Sequence, residues 1–163
     1  MPNRRLVRVL SSLVLAALLL APSASGELAA WDQAKVIGIA KRLATATDAL
    51  YEAFVQQPPP NPGSMQSDSY YKLKHLVWMI RVEAQILVKS LEDGDGREQT
   101  MWIYEILTSY AQSARYEVQG LVAKDVGERA AVVRGLLNQL GPYYDPDFQT
   151  LAPLPYDDPG ATR

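Results

Sequence analysis

Apolar residues recur along four segments of the chain at alternating spacings of four and three. The two most regular series are Val36, Ala40, Leu43, Thr47, Leu50 and Phe54, and then Leu73, Val77, Ile80, Ala84, Leu87 and Leu91. The third series is looser: Ile103, Leu107, Tyr110 or Ala111, Ala114, Val118 and Leu121. The fourth is Val126, Ala130, Val133, Leu137 and Leu140. Such spacing keeps one apolar stripe on one face of a helix, as in the seam of a helical bundle.

The pattern therefore predicts an all-α fold, an up-and-down four-helix bundle. We expect helices over about residues 29–56, 70–92, 96–122 and 126–140. The links between helices two and three, and three and four, are short, so those neighbours must be antiparallel. No stretch shows a convincing alternation of period two, which strands would require.

Turn and capping residues agree with these segments. Two pairs are typical of capping boxes that open helices three and four: Asp95 with Glu98, and Asp125 with Glu128. Gly94 is placed to end helix two, and Gly141 followed by Pro142 is placed to end helix four.

Two segments are rich in proline. The first connection, residues 56–69, contains four prolines and Gly63, and we expect it to be long and extended. The C-terminal segment, residues 142–163, mixes prolines, aspartates and aromatic residues, which predicts a non-helical tail. Its aromatic content indicates that part of it packs on the bundle.

Residues 1–26 have the three parts of a cleavable signal peptide. Arg4, Arg5 and Arg8 precede an apolar run over 9–21, and Ala24 and Gly26 fit the small residues before a cleavage site. The run of about 13 residues is shorter than the ~20 that a membrane-spanning helix needs. An uncleaved anchor is the alternative. The arginine pair also resembles a twin-arginine signal, although general secretion fits the leucine-rich run better. We expect an exported protein, periplasmic or extracellular.

Charge and cysteine content exclude several classes of protein. The first 26 residues hold three of the 16 basic residues and none of the 18 acidic ones, so the remainder has 13 basic and 18 acidic residues, a net charge of −5. An acidic chain without a basic block is a poor nucleic-acid binder. The chain has no cysteine, so it forms no disulfide and holds no cysteine-ligated metal or haem.

His75 is the only histidine, and it is the one candidate cofactor ligand. A haem- or metal-binding bundle would use it with Met65, Met79 or Met101, because bundle cores host such groups. The predicted arrangement is similar to that of soluble periplasmic b-type cytochromes only in its bundle and its long proline-containing link. Their ligand histidine lies near the end of the last helix, where this chain has none. We expect no cofactor, with the His75 site as the alternative.

Acidic residues offer no clear site. The stretch 92–96 lacks the later ligands of a calcium loop, and the aspartates of the tail are typical of solvated charges. Glu83 and Glu117 lie at the edges of their seams, where flanking arginines would pair with them rather than leave them as a catalytic acid and base.

Helix two carries a second apolar stripe, Trp78, Met79, Val82 and Ile86, on the side away from its seam. A helix that is apolar on two sides needs two covers, because exposed apolar surface of this size promotes association. The second cover is the tail, the proline-rich link, another copy of the chain or a protein partner. The stripe is therefore the candidate interaction surface.

Taken together, these features favour an exported, non-enzymatic helical bundle that acts by binding or as a structural or interaction module. The alternative is the haem- or metal-binding bundle just described. An enzyme that uses Glu83 or Glu117 is the third hypothesis.

Processing of the signal peptide gives the first testable prediction. We expect the exported protein to begin at or near Glu27, directly after Ala24-Ser25-Gly26. Intact-mass measurement of the exported species checks this. Retention of residues 1–26 in the exported form would contradict cleavage.

Overall fold

The computed structural model describes residues 27–118 and 121–153, which form an all-α four-helix bundle. The helices are α1 (Gln33–Gln56), α2 (Met65–Glu92), α3 (Arg97–Glu117) and α4 (Lys124–Tyr144). The described residues contain no strand, as expected. Within the same residues, no helix has the length and apolar character that crossing a bilayer requires. The predicted signal peptide lies outside the described residues.

The bundle is open along one side. α1 packs against both α2 and α4, and α2 packs against α3 across the short link between them. α3 and α4 close the ring of helices, but they contact each other at far fewer positions than any other neighbouring pair. The up-and-down order is therefore as predicted, with a gap between the last two helices.

The predicted seams form the core. Every seam residue of α1 and α2 is buried, from Val36 to Phe54 and from Leu73 to Leu91. The seams of α3 and α4 are buried except at five half-buried positions: Tyr110 or its alternative Ala111, Ala114, Leu121 and Ala130. The three alanines among these exceptions line the gap between α3 and α4.

The turn after α2 is the one that Gly94 predicts. Gly94 has a φ of +99°, in the region that glycine adopts without strain. Its N–H donates to the carbonyl of Leu91 (3.3 Å), and Asp95 N–H donates to the carbonyl of Ser90 (3.0 Å). This pair of bonds is the Schellman motif, which satisfies the last carbonyls of a helix.

Both predicted capping boxes are wrong. Asp95 completes the Schellman turn, so the N-cap of α3 is Gly96, whose N–H donates to the side chain of Gln99 (3.2 Å). α4 begins one residue before Asp125, and its N-cap Ala123 has no side-chain cap. Instead, Gln57 at the end of α1 accepts a bond from Ala123 N–H (2.5 Å). The start of α4 is therefore capped by a side chain that is distant in sequence and not by the predicted local residue.

The first two helices also begin elsewhere than predicted. α1 starts at Gln33 rather than about residue 29, because Asp32 caps it by accepting from Lys35 N–H (3.0 Å). α2 starts at Met65 rather than about residue 70, because Ser64 caps it by accepting from Ser67 N–H (3.2 Å). The proline-rich connection is therefore residues 57–64 only. α3 ends at Glu117 and not at about residue 122.

The end of α4 also differs from the predicted boundary. Gly141-Pro142 does not stop the helix, which continues to Tyr144 with Pro142 inside it. Proline at this position removes one N–H donor from the helix. Only two helical residues follow Pro142, so few later helical hydrogen bonds are affected. The extra turn buries Tyr143 and Tyr144. Residues 142–144 thus belong to the bundle and not to the tail.

Tyr144 joins α4 to α3 at the end of the bundle where α3 begins. Its ring stacks on that of Tyr104, with centroids 4.7 Å apart and an interplanar angle of 9°. Its hydroxyl also bonds Thr100 Oγ1 (2.9 Å). Trp31, from the segment before α1, packs edge-on against Tyr144 with centroids 5.6 Å apart. Aromatic contacts of this kind contribute about 0.5–1.5 kcal/mol each beyond their buried area.

The two stacked phenols differ in their hydrogen bonding. The Tyr104 hydroxyl is buried and finds no hydrogen-bond partner among the described residues. Burial raises the pKa of Tyr104 well above its usual value, and the nearby Asp145 raises it further. Burial also raises the pKa of Tyr144, against the opposing effect of its bond to Thr100. Unfolded tyrosines ionise near pH 10, whereas these two folded tyrosines stay neutral to higher pH. The free energy of unfolding is therefore unaffected by their ionisation below about pH 10 and falls as the pH rises above it.

Replacing each hydroxyl separately tests this description. We expect Tyr104→Phe to increase the free energy of unfolding by about 1 kcal/mol, because it removes a buried hydroxyl without a partner. Tyr144→Phe keeps the stacked ring and loses the Thr100 bond, and it should lower the free energy of unfolding by about 1 kcal/mol. Urea unfolding at pH 7 measures both. Equal losses in the two variants would show that Tyr104 has a hydrogen-bond partner.

Candidate functional site

The gap between α3 and α4 is an apolar cleft of about 290 Å³ that opens to solvent. Its floor is made by the core faces of α1 and α2: Leu50, Phe54, Leu73, Val77 and Ile80. One wall comes from α3 and its end, between Ala111 and Val118, and the other from Val122 to Leu137. Residues 149–152 of the tail form the rim. Binding sites for small ligands begin at about this volume.

Small side chains explain why the cleft exists. Ala111 and Ala114 on α3 and Ala130 on α4 all line the gap, which larger side chains at these seam positions would fill. The stack of Tyr104 on Tyr144 holds the two helices together at the opposite end. A pair of helices fixed at one end and lined with alanine at the other leaves room between them.

The tail crosses the cleft as a strap, residues 145–153. The ring of Phe148, in the strap, packs so closely on Gly141 that a Cβ atom on residue 141 would collide with the ring. Leu151 N–H donates to the side chain of Asn138 (2.9 Å), and Arg115 Nε donates to the carbonyl of Pro153 (3.2 Å). Gly141 is therefore required by packing at a helical position, and not as a helix stop. The prediction that part of the tail packs on the bundle is confirmed for these residues.

Two cations line the cleft. Arg115 comes from α3 and Arg134 from α4, and both are half-buried. No carboxylate occurs among the described residues that line it. The cleft thus combines an apolar interior with positive charge, although the chain after residue 26 is acidic overall.

The predicted interaction stripe lies elsewhere, on the outer side of α2. Trp78 is 43% exposed and Ile86 38%, while Met79 and Val82 are half-buried. The described part of the tail lies over the α3–α4 cleft, so residues 145–153 do not cover the stripe. Its contact with another copy of the chain or with a partner stays a prediction.

His75 lies on the same outer side, away from the cleft. It is exposed and stacks on Trp78, with ring centroids 5.9 Å apart. In the described part of the chain, no three side chains of the metal-binding types come together. A haem or metal at His75 together with a methionine stays the alternative prediction.

The two seam-edge acids are not brought together either. Glu83 is 8% exposed, and its buried Oε2 has no hydrogen-bond partner within the described part of the chain. Glu117 faces Lys72 at 3.9 Å. Arg81, one of the arginines that flank Glu83 in the sequence, binds Asp48 at 2.5 Å instead. Neither acid lines the cleft, so the structure offers no acid–base pair there.

Searches of protein-family models, curated protein sequences and solved structures found no match to this chain.

The cleft was missed from the sequence, although one signal pointed to it. The third seam was the least regular, because either Tyr110 or Ala111 could occupy one of its positions. A loose seam indicates imperfect packing, but it does not reveal which helix moves away. The position of the gap depends on the contact of Tyr144 with Tyr104, which holds α4 against α3 at the end of the bundle where α3 begins.

Two glycines of α4 provide a matched test of the strap. We expect Gly141→Ala to release residues 145–153, because the new methyl group occupies the position of the Phe148 ring. Chymotrypsin should then cleave at Phe148 or Leu151 faster than in the unmodified protein. Gly135→Ala meets no atom within 4 Å and should leave cleavage unchanged. It should also stabilise the helix by about 0.5–1 kcal/mol.

Equal cleavage rates in the unmodified protein and in Gly141→Ala would contradict the packing of Phe148 on Gly141. Faster cleavage in both variants would point to a general weakening of α4 and not to release of the strap.

Proposed function

We propose that this protein is an exported, non-enzymatic binding protein that holds a small apolar ligand in the cleft between α3 and α4. The observation that carries the proposal is the cleft itself. It is an apolar space within the bundle, with its floor in the core and its rim formed by the tail strap.

The size and lining of the cleft support a ligand. At about 30 Å³ per water, 290 Å³ would hold about ten waters. Water gains few hydrogen bonds against the partly buried apolar lining, such as Ala111, Ala114 and Val122, so an apolar molecule that replaces it is stabilised. The release of poorly hydrogen-bonded water from the cleft also favours binding of the ligand.

The chemistry of the lining supports binding over catalysis. Among the described lining residues, the polar groups are amides, hydroxyls and the two arginines. A hydrolytic or acid–base reaction would need a nucleophile with a neighbouring base, or a carboxylate of shifted pKa. Export is supported by the signal-like segment 1–26, which also suits a binding protein that works outside the cytoplasm.

Filling the cleft tests this proposal. We expect the protein from Glu27 onwards to bind a neutral apolar fluorescent dye at a single site. Ala130→Phe places a ring between the walls and should weaken binding at least tenfold. Ala131→Phe is the matched control: it adds the same ring to the next residue of α4, which does not line the cleft. Fluorescence titration measures the affinity of each.

Helical content by circular dichroism should be the same in all three proteins. Unchanged dye binding in Ala130→Phe, or an equal loss in Ala131→Phe, would place the dye site elsewhere and defeat the proposal.

A further inference from the structure

We propose that the chain has a second binding site, a polar pocket between α3 and the strap that takes a small organic ammonium ion. The pocket has a volume of about 300 Å³ and differs from the apolar cleft in its chemistry. The proposal does not depend on what the cleft binds. It is drawn from two carboxylates and a buried hydroxyl that line the same pocket.

The strap and α3 supply opposite parts of the lining. Tyr104, Thr108 and Gln112 come from α3, at intervals of four, which places them on one face of that helix. Asp145 and Asp147 come from the beginning of the strap. Gln112 also lines the cleft, as do Gln149 and Leu151 of the strap, so the strap borders both spaces.

The charge of the lining favours a cationic ligand. Asp145 and Asp147 form no ion pair with any described residue, and the described residues that line the pocket include no lysine, arginine or histidine. Asp145 raises the pKa of the Tyr104 hydroxyl, so the negative charge acts within the pocket and not only at its edge. A concave surface with charge of one sign attracts ligands of the opposite sign.

Tyr104 gives an independent indication of a ligand. It is the one buried residue among those described in the lining, 4% exposed, and its hydroxyl finds no hydrogen-bond partner in the described part of the chain. A buried hydroxyl without a hydrogen bond costs free energy, so a ligand that bonds it gains that free energy back. An ammonium N–H is a suitable donor, and the phenol oxygen accepts from it.

The remaining polar groups also favour a ligand that donates hydrogen bonds. Thr108 Oγ1 donates within its own helix, to the carbonyls of Tyr104 (3.1 Å) and Glu105 (2.9 Å), so its lone pairs are what it offers a ligand. Gln112 and Gln149 add amide oxygens. With the two carboxylates, hydrogen-bond acceptors outnumber donors in this lining.

Size favours an organic cation over a metal ion. Among the described residues, no three metal-binding side chains of the histidine, cysteine or acidic types come together. At about 30 Å³ per water-sized group, 300 Å³ holds about ten such groups. A short diamine fits this space and has one ammonium group for each of the two aspartates.

Calorimetric titration with 1,4-diaminobutane and 1,4-butanediol tests the ligand class, because the two share a carbon chain and differ in charge. At constant ionic strength, we expect the diamine to bind at one site at least tenfold more tightly than the diol. Asp145→Asn/Asp147→Asn should abolish this preference. Tyr104→Phe should weaken diamine binding about threefold or more, because it removes the acceptor. We expect the same variant to be more stable, so unfolding would not explain its weaker binding.

Two control variants separate the pocket from overall charge and from the cleft. Glu98→Gln/Asp125→Asn removes two negative charges from exposed positions outside the pocket lining, and it should keep the tenfold preference. Ala130→Phe fills the cleft but does not touch the pocket lining, and it should bind the diamine as before. The two proposals therefore succeed or fail separately.

Proteolysis locates the bound diamine. Because the ligand contacts both the strap and α3, it should slow chymotrypsin cleavage at Phe148 or Leu151. Binding that leaves cleavage unchanged, or that persists in the aspartate double variant, would place the diamine elsewhere and overturn the inference. Equal loss of the preference in Glu98→Gln/Asp125→Asn would reduce the effect to overall charge. Binding of calcium ions without binding of the diamine, or binding of neither, would also overturn it.

Discussion

The contact of Tyr144 with Tyr104 is the interaction on which the rest of the structure depends. It requires α4 to continue past Pro142, since the helix must carry Tyr144 to the first turns of α3. It gives Trp31 an aromatic surface against which the segment before α1 packs. It also fixes α3 and α4 at one end only. The cleft is the space that remains where the same two helices meet through alanines.

A bundle of this shape differs from one with a uniformly packed core. Apolar floor residues such as Phe54 and Leu73 are fully covered within α1 and α2, so the core does not depend on closing the gap. The strap is held at the rim by two hydrogen bonds, one from Leu151 to α4 and one from α3 to Pro153, where α3 and α4 do not contact each other continuously. The cleft thus lies between the least constrained helix pair, while the other three pairs supply stability.

Local patterns were sufficient to predict the helices and most of the core. The regular seams of α1 and α2 are buried as expected, and Gly94 ends α2 in the predicted turn, because both features depend on residues within one or two helical turns. Features set by distant partners were not predictable. Gln57 caps α4 from the end of α1, and buried tyrosines override the stop that Pro142 indicates. The cleft belongs to this second group, because no local spacing encodes the distance between two helices.

One hydrogen bond has a consequence for the order in which the chain folds. Ala29 N–H donates to the carbonyl of Pro142 (2.8 Å), and Arg97 Nη2 donates to the carbonyl of Ala29 (2.6 Å). The segment before α1 therefore completes these hydrogen bonds only when the last turn of α4 is in place. Closing so long a loop is slow compared with forming a helical hairpin. A chain exported as proposed would leave this segment unpaired until its final helix had emerged.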